Sequence, residues 1–250
     1  MVEHRETRSA LITGASRGIG LQIAKALAAQ GMCLTITARD AEALRAVVPV
    51  LEQLGSPHVT TIAADMADAD ALPGIVDSHR SAYHDLDALI LNAGVGTAGP
   101  IENFPSHRLN KTMAVNFNAP FLLIQSALPL LRQAALRHPQ LGSKIILLSS
   151  IAGAYAEAGL AAYSASKAAA LSLADSVNAE ESAHGVCATA IAPAFVDTDM
   201  SAWVHDRIPA EKMIPTTDIV VLVESLLHLS SRSMVGRIIV GRAGTDGRQA

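Results

Sequence analysis

Residues 9–20 read Ser9-Ala10-Leu11-Ile12-Thr13-Gly14-Ala15-Ser16-Arg17-Gly18-Ile19-Gly20. Ser9–Thr13 is a short, largely apolar run that reads as a strand. From Ile19 onward, Ile19, Ile23 and Leu27 recur at helical spacing, and Gly31 stands just past the end of that run. The junction itself carries glycines at 14, 18 and 20, spaced Gly-x-x-x-Gly-x-Gly. Such glycines let backbone N–H groups approach a pyrophosphate at the positive end of the helix. The plain alternative is a tight strand-to-helix turn with no ligand. Packing alone accounts poorly for three glycines at this junction.

Downstream, strand-like and helix-like runs alternate. Candidate strands are Ser9–Thr13, Cys33–Ala38, Val59–Ala63, Ala88–Asn92, Lys144–Ser149, Val186–Ile191 and Ile238–Gly241. Helical patterns fall between them, the longest over about Pro105 to Arg137 and another over Ala161 to Ala183. Continuous apolar strands separated by helices imply a parallel sheet covered on both faces, an α/β doubly wound fold. We expect seven strands in the order 3-2-1-4-5-6-7 and one domain over residues 1–250. Ligands in such folds bind beyond the carboxyl ends of the strands, where the strand order reverses.

A second constellation lies in the C-terminal half. Ser150 ends a strand-like run, Tyr163 follows thirteen residues later, and Lys167 follows four after that. Residues four apart share one face of a helix, so Tyr163 and Lys167 project the same way. A free phenol, with a pKa of about 10, is a weak base at neutral pH. A neighbouring ammonium favours the phenolate, which suits Tyr163 to general acid–base work. Ser150 can donate to a substrate oxygen whose charge changes during reaction. Tyr-x-x-x-Lys alone also arises by chance, so its weight comes from the glycine turn upstream.

Taken in order, these motifs resemble the short-chain dehydrogenases/reductases of the ordinary single-domain type, over almost the whole chain. Thr13-Gly14-x-x-x-Gly18-Ile19-Gly20, including Ser16 and Arg17, resembles the family's cofactor loop. Asn92-Ala93-Gly94 resembles the motif that supports the central sheet. Asn116, Ser150, Tyr163 and Lys167 resemble the catalytic tetrad, and Pro193 through Thr198, with Val196, the segment over the nicotinamide. The resemblance implies a Rossmann-type fold and a reductase or dehydrogenase acting on a small-molecule carbonyl or acyl thioester. It also implies that Tyr163 donates the proton and that Ser150 holds the same oxygen. Lys167 would bind the nicotinamide ribose and lower the Tyr163 pKa, while Asn116 would hold a water leading to solvent. Members of this kind are usually homotetramers, and the helices around Pro105–Arg137 and Ala161–Ala183 are the expected interface. Phe195-Val-Asp-Thr-Asp-Met200 resembles the corresponding stretch of 3-oxoacyl-carrier-protein reductases. A nucleotide sensor that has lost catalysis is the rival reading, and it predicts a broken tetrad.

The expected coenzyme is NADP (NADPH). The second strand ends Thr35-Ile-Thr-Ala38, followed by Arg39, with no carboxylate at the position that would bind a bare adenine ribose. Arg17 and Arg39 suit the 2′-phosphate, because forked guanidinium groups pair well with phosphate oxygens. Asp40 reads as the N-cap of the next helix, and Asp65 with Met66 as the holder of the adenine edge. Two departures from the family pattern stand out. Ala194 follows Pro193 where glycine is usual, which restricts that loop to negative φ. The tail Val240-Gly-Arg-Ala-Gly-Thr replaces the usual Val-Asp-Gly-Gly. Residues 199–215 are the expected substrate lid, a surface helix with one apolar face being the plainer reading.

Composition sets the outer bounds. Half of the 250 residues are apolar and 17% are charged, against about a quarter in most proteins, so a sizeable core is available. Net charge is −4 with no basic run, which speaks against nucleic acid. The polar N-terminus carries no apolar signal region, and no stretch approaches about 20 uninterrupted apolar residues, so we expect a cytoplasmic protein off the membrane. Cys33 and Cys187 read as buried, inert thiols. The nine histidines are scattered and read as surface or partly packed residues, and no metal site is expected.

Overall fold

A computed structural model describes residues 7–248. Seven parallel strands form one sheet in the order β3-β2-β1-β4-β5-β6-β7. They are β1 (Ser9–Thr13), β2 (Cys33–Ala38), β3 (Val59–Ala63), β4 (Ala88–Leu91), β5 (Ser143–Leu148), β6 (Val186–Pro193) and β7 (Arg237–Val240). The helices between them are α1 (Gly18–Ala29), α2 (Ala41–Leu54), α3 (Leu72–Tyr83), α4 (Ser106–Met113), α5 (Ala119–Arg137), α6 (Ile151–Ala154), α7 (Ala161–Glu181) and α8 (Thr216–His228). Strand order and alternation match the sequence reading, with shifts of one or two residues at the ends.

The central strands are buried along their whole length, which is why they lack polar alternation. One core layer packs α1, α2 and α8 on the sheet through Ile23, Leu27, Leu44, Leu51 and Leu227. The other packs α3, α5 and α7 on the opposite face through Ile75, Leu123, Leu131 and Ala174. Covering both faces forces every crossover to one side or the other and brings all strand carboxyl ends to one edge. Asp40 caps α2, its carboxylate accepting from the N–H groups of Glu42 (2.9 Å) and Ala43 (3.1 Å).

Three local expectations need correction. The helical run from Pro105 is interrupted by a π-helical turn over Ala114–Asn118, between α4 and α5. By length and composition the run 106–137 could also cross a bilayer, although half of its most apolar window is buried within the fold. Residues 199–215 form no single surface helix. They make short 3₁₀ turns at Ala202–Val204 and Ala210–Lys212, separated by Pro209, and Ile214 is tied to Phe195 and Asp197 by backbone hydrogen bonds. Lastly, His79 is wholly buried and Cys33 only half-buried, so the general readings of histidine and cysteine fail at those positions.

Candidate active site

The glycine turn owes its shape to Asn92. Gly14 and Gly18 adopt positive φ, +67° and +57°, which glycine reaches at no steric cost. Asn92 Nδ2 donates to the carbonyls of Thr13 and Gly14, each at 3.0 Å. The Thr13 hydroxyl in turn accepts from the N–H groups of Asn92 and Ala93. A Cβ on Gly20 would lie 2.4 Å from both Asn92 Nδ2 and the Gly14 carbonyl oxygen, so only glycine lets α1 approach this closely. Arg17 occupies the N-cap of α1 without a side-chain cap, and no acidic residue stands in the first turn. The first N–H groups of α1 therefore face the cleft beside their helix's positive end.

At the end of β5, Ser150 caps the short helix α6, its hydroxyl accepting from the Ala152 N–H at 3.2 Å. Helix α6 lies hard against α7 because residue 153 is glycine: a Cβ there would sit 2.6 Å from the Lys167 carbonyl carbon. Nothing in the strand and helix patterns marked Gly153, yet its close approach sets Ser150 beside the Tyr163 face of α7. Lys167 is buried, and its Nζ donates to the Leu148 carbonyl at 2.7 Å while lying 5.8 Å from the Tyr163 ring centre. Burial pushes the Lys167 pKa down to about 8. The expected lowering of the Tyr163 pKa is not found. Burial raises that phenol above its ordinary value, and the opposing pull comes from Ser150 rather than Lys167.

Asn116 sits in the π-helical turn and is 2% exposed. Its Oδ1 accepts from the Val95 N–H (2.9 Å), and its Nδ2 donates to the Val95 carbonyl and the Ser166 hydroxyl, both at 3.0 Å. The side chain thus clamps the loop after β4 to α7.

These elements open into one cleft of about 1640 Å³ along the carboxyl edge of the sheet. Gly14, Ser16, Arg17, Gly18, Ile19, Arg39, Asp65, Met66, Asn92, Ala93, Gly94, Ser150, Tyr163, Lys167, Pro193, Val196 and Thr198 all line it. Gly20 and Asn116 stand behind its wall. Ala194 has negative φ, since His84 alone among the described non-glycine residues has positive φ, and its N–H donates to Val240 at 2.8 Å. Arg17 Nη1 lies 3.4 Å from Asp199 at the start of the 199–215 segment, while Arg39 is exposed at the cleft rim. Asp65 holds its own loop through the Ala67 N–H. The loop 95–100, Arg108 and Arg207 also line the cleft and were missed. One spacing hinted at them, an aromatic residue four before each arginine: Phe104–Arg108 and Trp203–Arg207.

Residues 8–208 match the family model described as short chain dehydrogenase. The chain belongs to the short-chain dehydrogenase family. Among its relatives, 3-oxoacyl-(acyl-carrier-protein) reductase FabG of Staphylococcus aureus is 32% identical over 93% of this chain and 96% of that protein. The 11-beta-hydroxysteroid dehydrogenase 1A of Arabidopsis thaliana is 35% identical over 76% of this chain, which spans only 53% of that relative. Solved family structures include the RhlG/NADP active-site complex of Pseudomonas aeruginosa, with TM-score 0.85 and 29% identity over 95% of both chains. Another is a Burkholderia cenocepacia short chain dehydrogenase in complex with NADP, with TM-score 0.82 and 31% identity, covering 94% of this chain and 96% of that one.

Proposed function

We propose that this short-chain dehydrogenase is an NADPH-dependent oxidoreductase that interconverts a carbonyl compound and its alcohol. The observation carrying this reading is the convergence of Ser150, Tyr163 and Lys167 on the cleft that begins at the Gly14–Gly20 turn. The site fits a nicotinamide dinucleotide. Gly14 and Gly18 leave the backbone bare, the first turn of α1 has no acidic side chain, and β2 ends at Ala38-Arg39 without a carboxylate. Gly14–Gly20 would hold the pyrophosphate, Arg17 and Arg39 the 2′-phosphate, Asp65 and Met66 the adenine, and Asn92–Gly94, Lys167 and the Pro193–Thr198 segment the nicotinamide half. The bound cofactor supplies or accepts the hydride.

The chain's own groups handle the proton and the oxygen. Tyr163, held neutral by burial, donates its hydroxyl proton to the carbonyl oxygen as that oxygen gains charge. Ser150 donates to the same oxygen. The resulting phenolate regains its proton from solvent, with the buried Lys167 ammonium 5.8 Å from its ring centre. Because the Lys167 pKa is about 8, this ammonium is largely charged at neutral pH.

For the substrate, the Phe195–Met200 stretch and the full-length FabG relative favour a 3-oxoacyl thioester. Following NADPH absorbance against a panel of ketones and 3-oxoacyl thioesters tests the reading. Turnover of none of them, with the coenzyme bound, would favour the sensor alternative. We also propose a homotetramer, supported by the exposed apolar side chains Leu109, Phe121 and Leu136 on α4 and α5. Light scattering at micromolar concentration should give four chains, and a monomer would refute it.

A further inference from the structure

The cleft holds more positive charge than the proposed coenzyme uses. Many arginines of the protein meet a carboxylate, as Arg8 meets Asp87, Arg132 Glu181 and Arg237 Asp175. Arg108 and Arg207 line the cleft, and neither meets a carboxylate among the described residues. Each rests instead on an aromatic ring. Arg108 lies 5.3 Å from the Phe104 centroid and donates to the Thr97 hydroxyl at 3.4 Å. Arg207 lies 5.5 Å from the Trp203 centroid, and Trp203 packs edge-on against Phe195 at 6.1 Å. A guanidinium stacked on a ring is held in place while its N–H fork stays available.

The sheet order says what these two forks face. Arg39 and Arg17 follow β2 and β1, whereas Arg108 follows β4 and Arg207 follows β6. Between β4 and β6 lies β5, which delivers Ser150. Arg108 and Arg207 therefore flank the reacting end of the cleft, across β1 from the adenosine end marked by Arg39. Lys111, three residues beyond Arg108 on α4, lines the same wall, and Met200 and Ile208 give it an apolar stretch. Glu157 and Asp199 are the opposing charges there, Asp199 lying 3.4 Å from Arg17.

We infer that Arg108 and Arg207, with Lys111, form an anion-binding end of the substrate pocket. The substrate is then a carbonyl compound that carries a carboxylate or phosphate beyond an apolar segment. This rests on the oxidoreductase reading and adds the charge of the substrate to it. Charge-assisted forked hydrogen bonds to an oxyanion supply the selectivity.

The test compares oxo-carboxylates of increasing chain length with their methyl esters, using NADPH and the full chain. A phosphate-monoester ketone of matched length distinguishes the two anions. The acid-to-ester ratio of kcat/KM should exceed about tenfold at low salt and shrink as salt screens the charge. Arg108→Ala and Arg207→Ala should each lower that ratio about fivefold or more, chiefly through KM, and Arg207→Lys should restore part of it. A ratio near one in the wild type, or one unmoved by both alanine variants, overturns the inference while ester turnover upholds the oxidoreductase reading. Should neither acid nor ester turn over, Trp203, the sole tryptophan, reports binding directly. Saturable quenching by the matched saturated carboxylate, lost in Arg108→Ala, supports the anion site, and absence of quenching refutes it.

Discussion

Gly20 and Asn92 stand so close that a Cβ at position 20 would lie 2.4 Å from the Asn92 amide nitrogen. The contact couples the first turn of α1 to the end of β4 and fixes the turn in which the coenzyme phosphates are proposed to sit. Gly20→Ala must push Asn92 off the Thr13 and Gly14 carbonyls or move the helix. We predict a loss of about 1–3 kcal/mol of stability, as for other overpacked sites, and a rise of about tenfold or more in the NADPH Kd. Denaturant unfolding and coenzyme fluorescence titration measure the two. An unchanged Kd would separate the turn from coenzyme binding.

At the opposite edge of the sheet, His79 is fully buried and held by the Thr35 hydroxyl (2.8 Å), the Ser9 hydroxyl (3.2 Å) and the Asp85 carbonyl (2.9 Å). Burial pushes its pKa down from 6.5 to about 4. Between those values the unfolded chain binds the proton and the folded one does not, so stability is complete above about 6.5 and falls as pH drops towards 4. The loss should approach about 3 kcal/mol. Asp87, whose pKa is raised by burial, works in the opposite sense. The decisive comparison is therefore with His79→Gln, whose unfolding free energy should vary less between pH 6.5 and 4. Equal slopes in the two proteins would contradict the assignment.

Coenzyme preference follows from Arg17 and Arg39. Their guanidinium groups pair with a 2′-phosphate and have no comparable partner on a bare ribose. NADPH should be favoured over NADH in kcat/KM, and the joint replacement of both arginines by alanine should cut the preference about tenfold or more. Equal kcat/KM for the two coenzymes in the wild type would remove this role. The pairing of Arg17 with Asp199 makes Asp199→Asn a useful control, expected to leave the preference in place.

The fold was legible because a strand buried on both faces must be apolar throughout, as Leu89-Ile-Leu91 and Ile145-Ile-Leu-Leu148 are. The site was legible where chemistry depends on local spacing, as in Gly14–Gly20 or Tyr163 and Lys167. Contacts between distant segments were not. Asn116 meets Val95 through a π-helical turn that leaves the helical pattern of residues 105–137 unbroken in sequence. His79 meets Ser9 and Thr35 across seventy and forty-four residues, and nothing in its own neighbourhood marks it as buried. The 199–215 segment mixes apolar and charged residues in a helix-like way, but Pro209 and the tie between Ile214 and Phe195 break it into short turns.

The central claim is that Tyr163 is the proton donor to a carbonyl reduced at the expense of NADPH. Tyr163→Phe removes one oxygen atom and preserves the ring that packs near Lys167. With a ketone or 3-oxoacyl thioester that the wild type reduces, kcat should fall on the order of 10²-fold or more while the NADPH Kd stays within about twofold. Near-normal turnover in Tyr163→Phe, with coenzyme affinity unchanged, would contradict it.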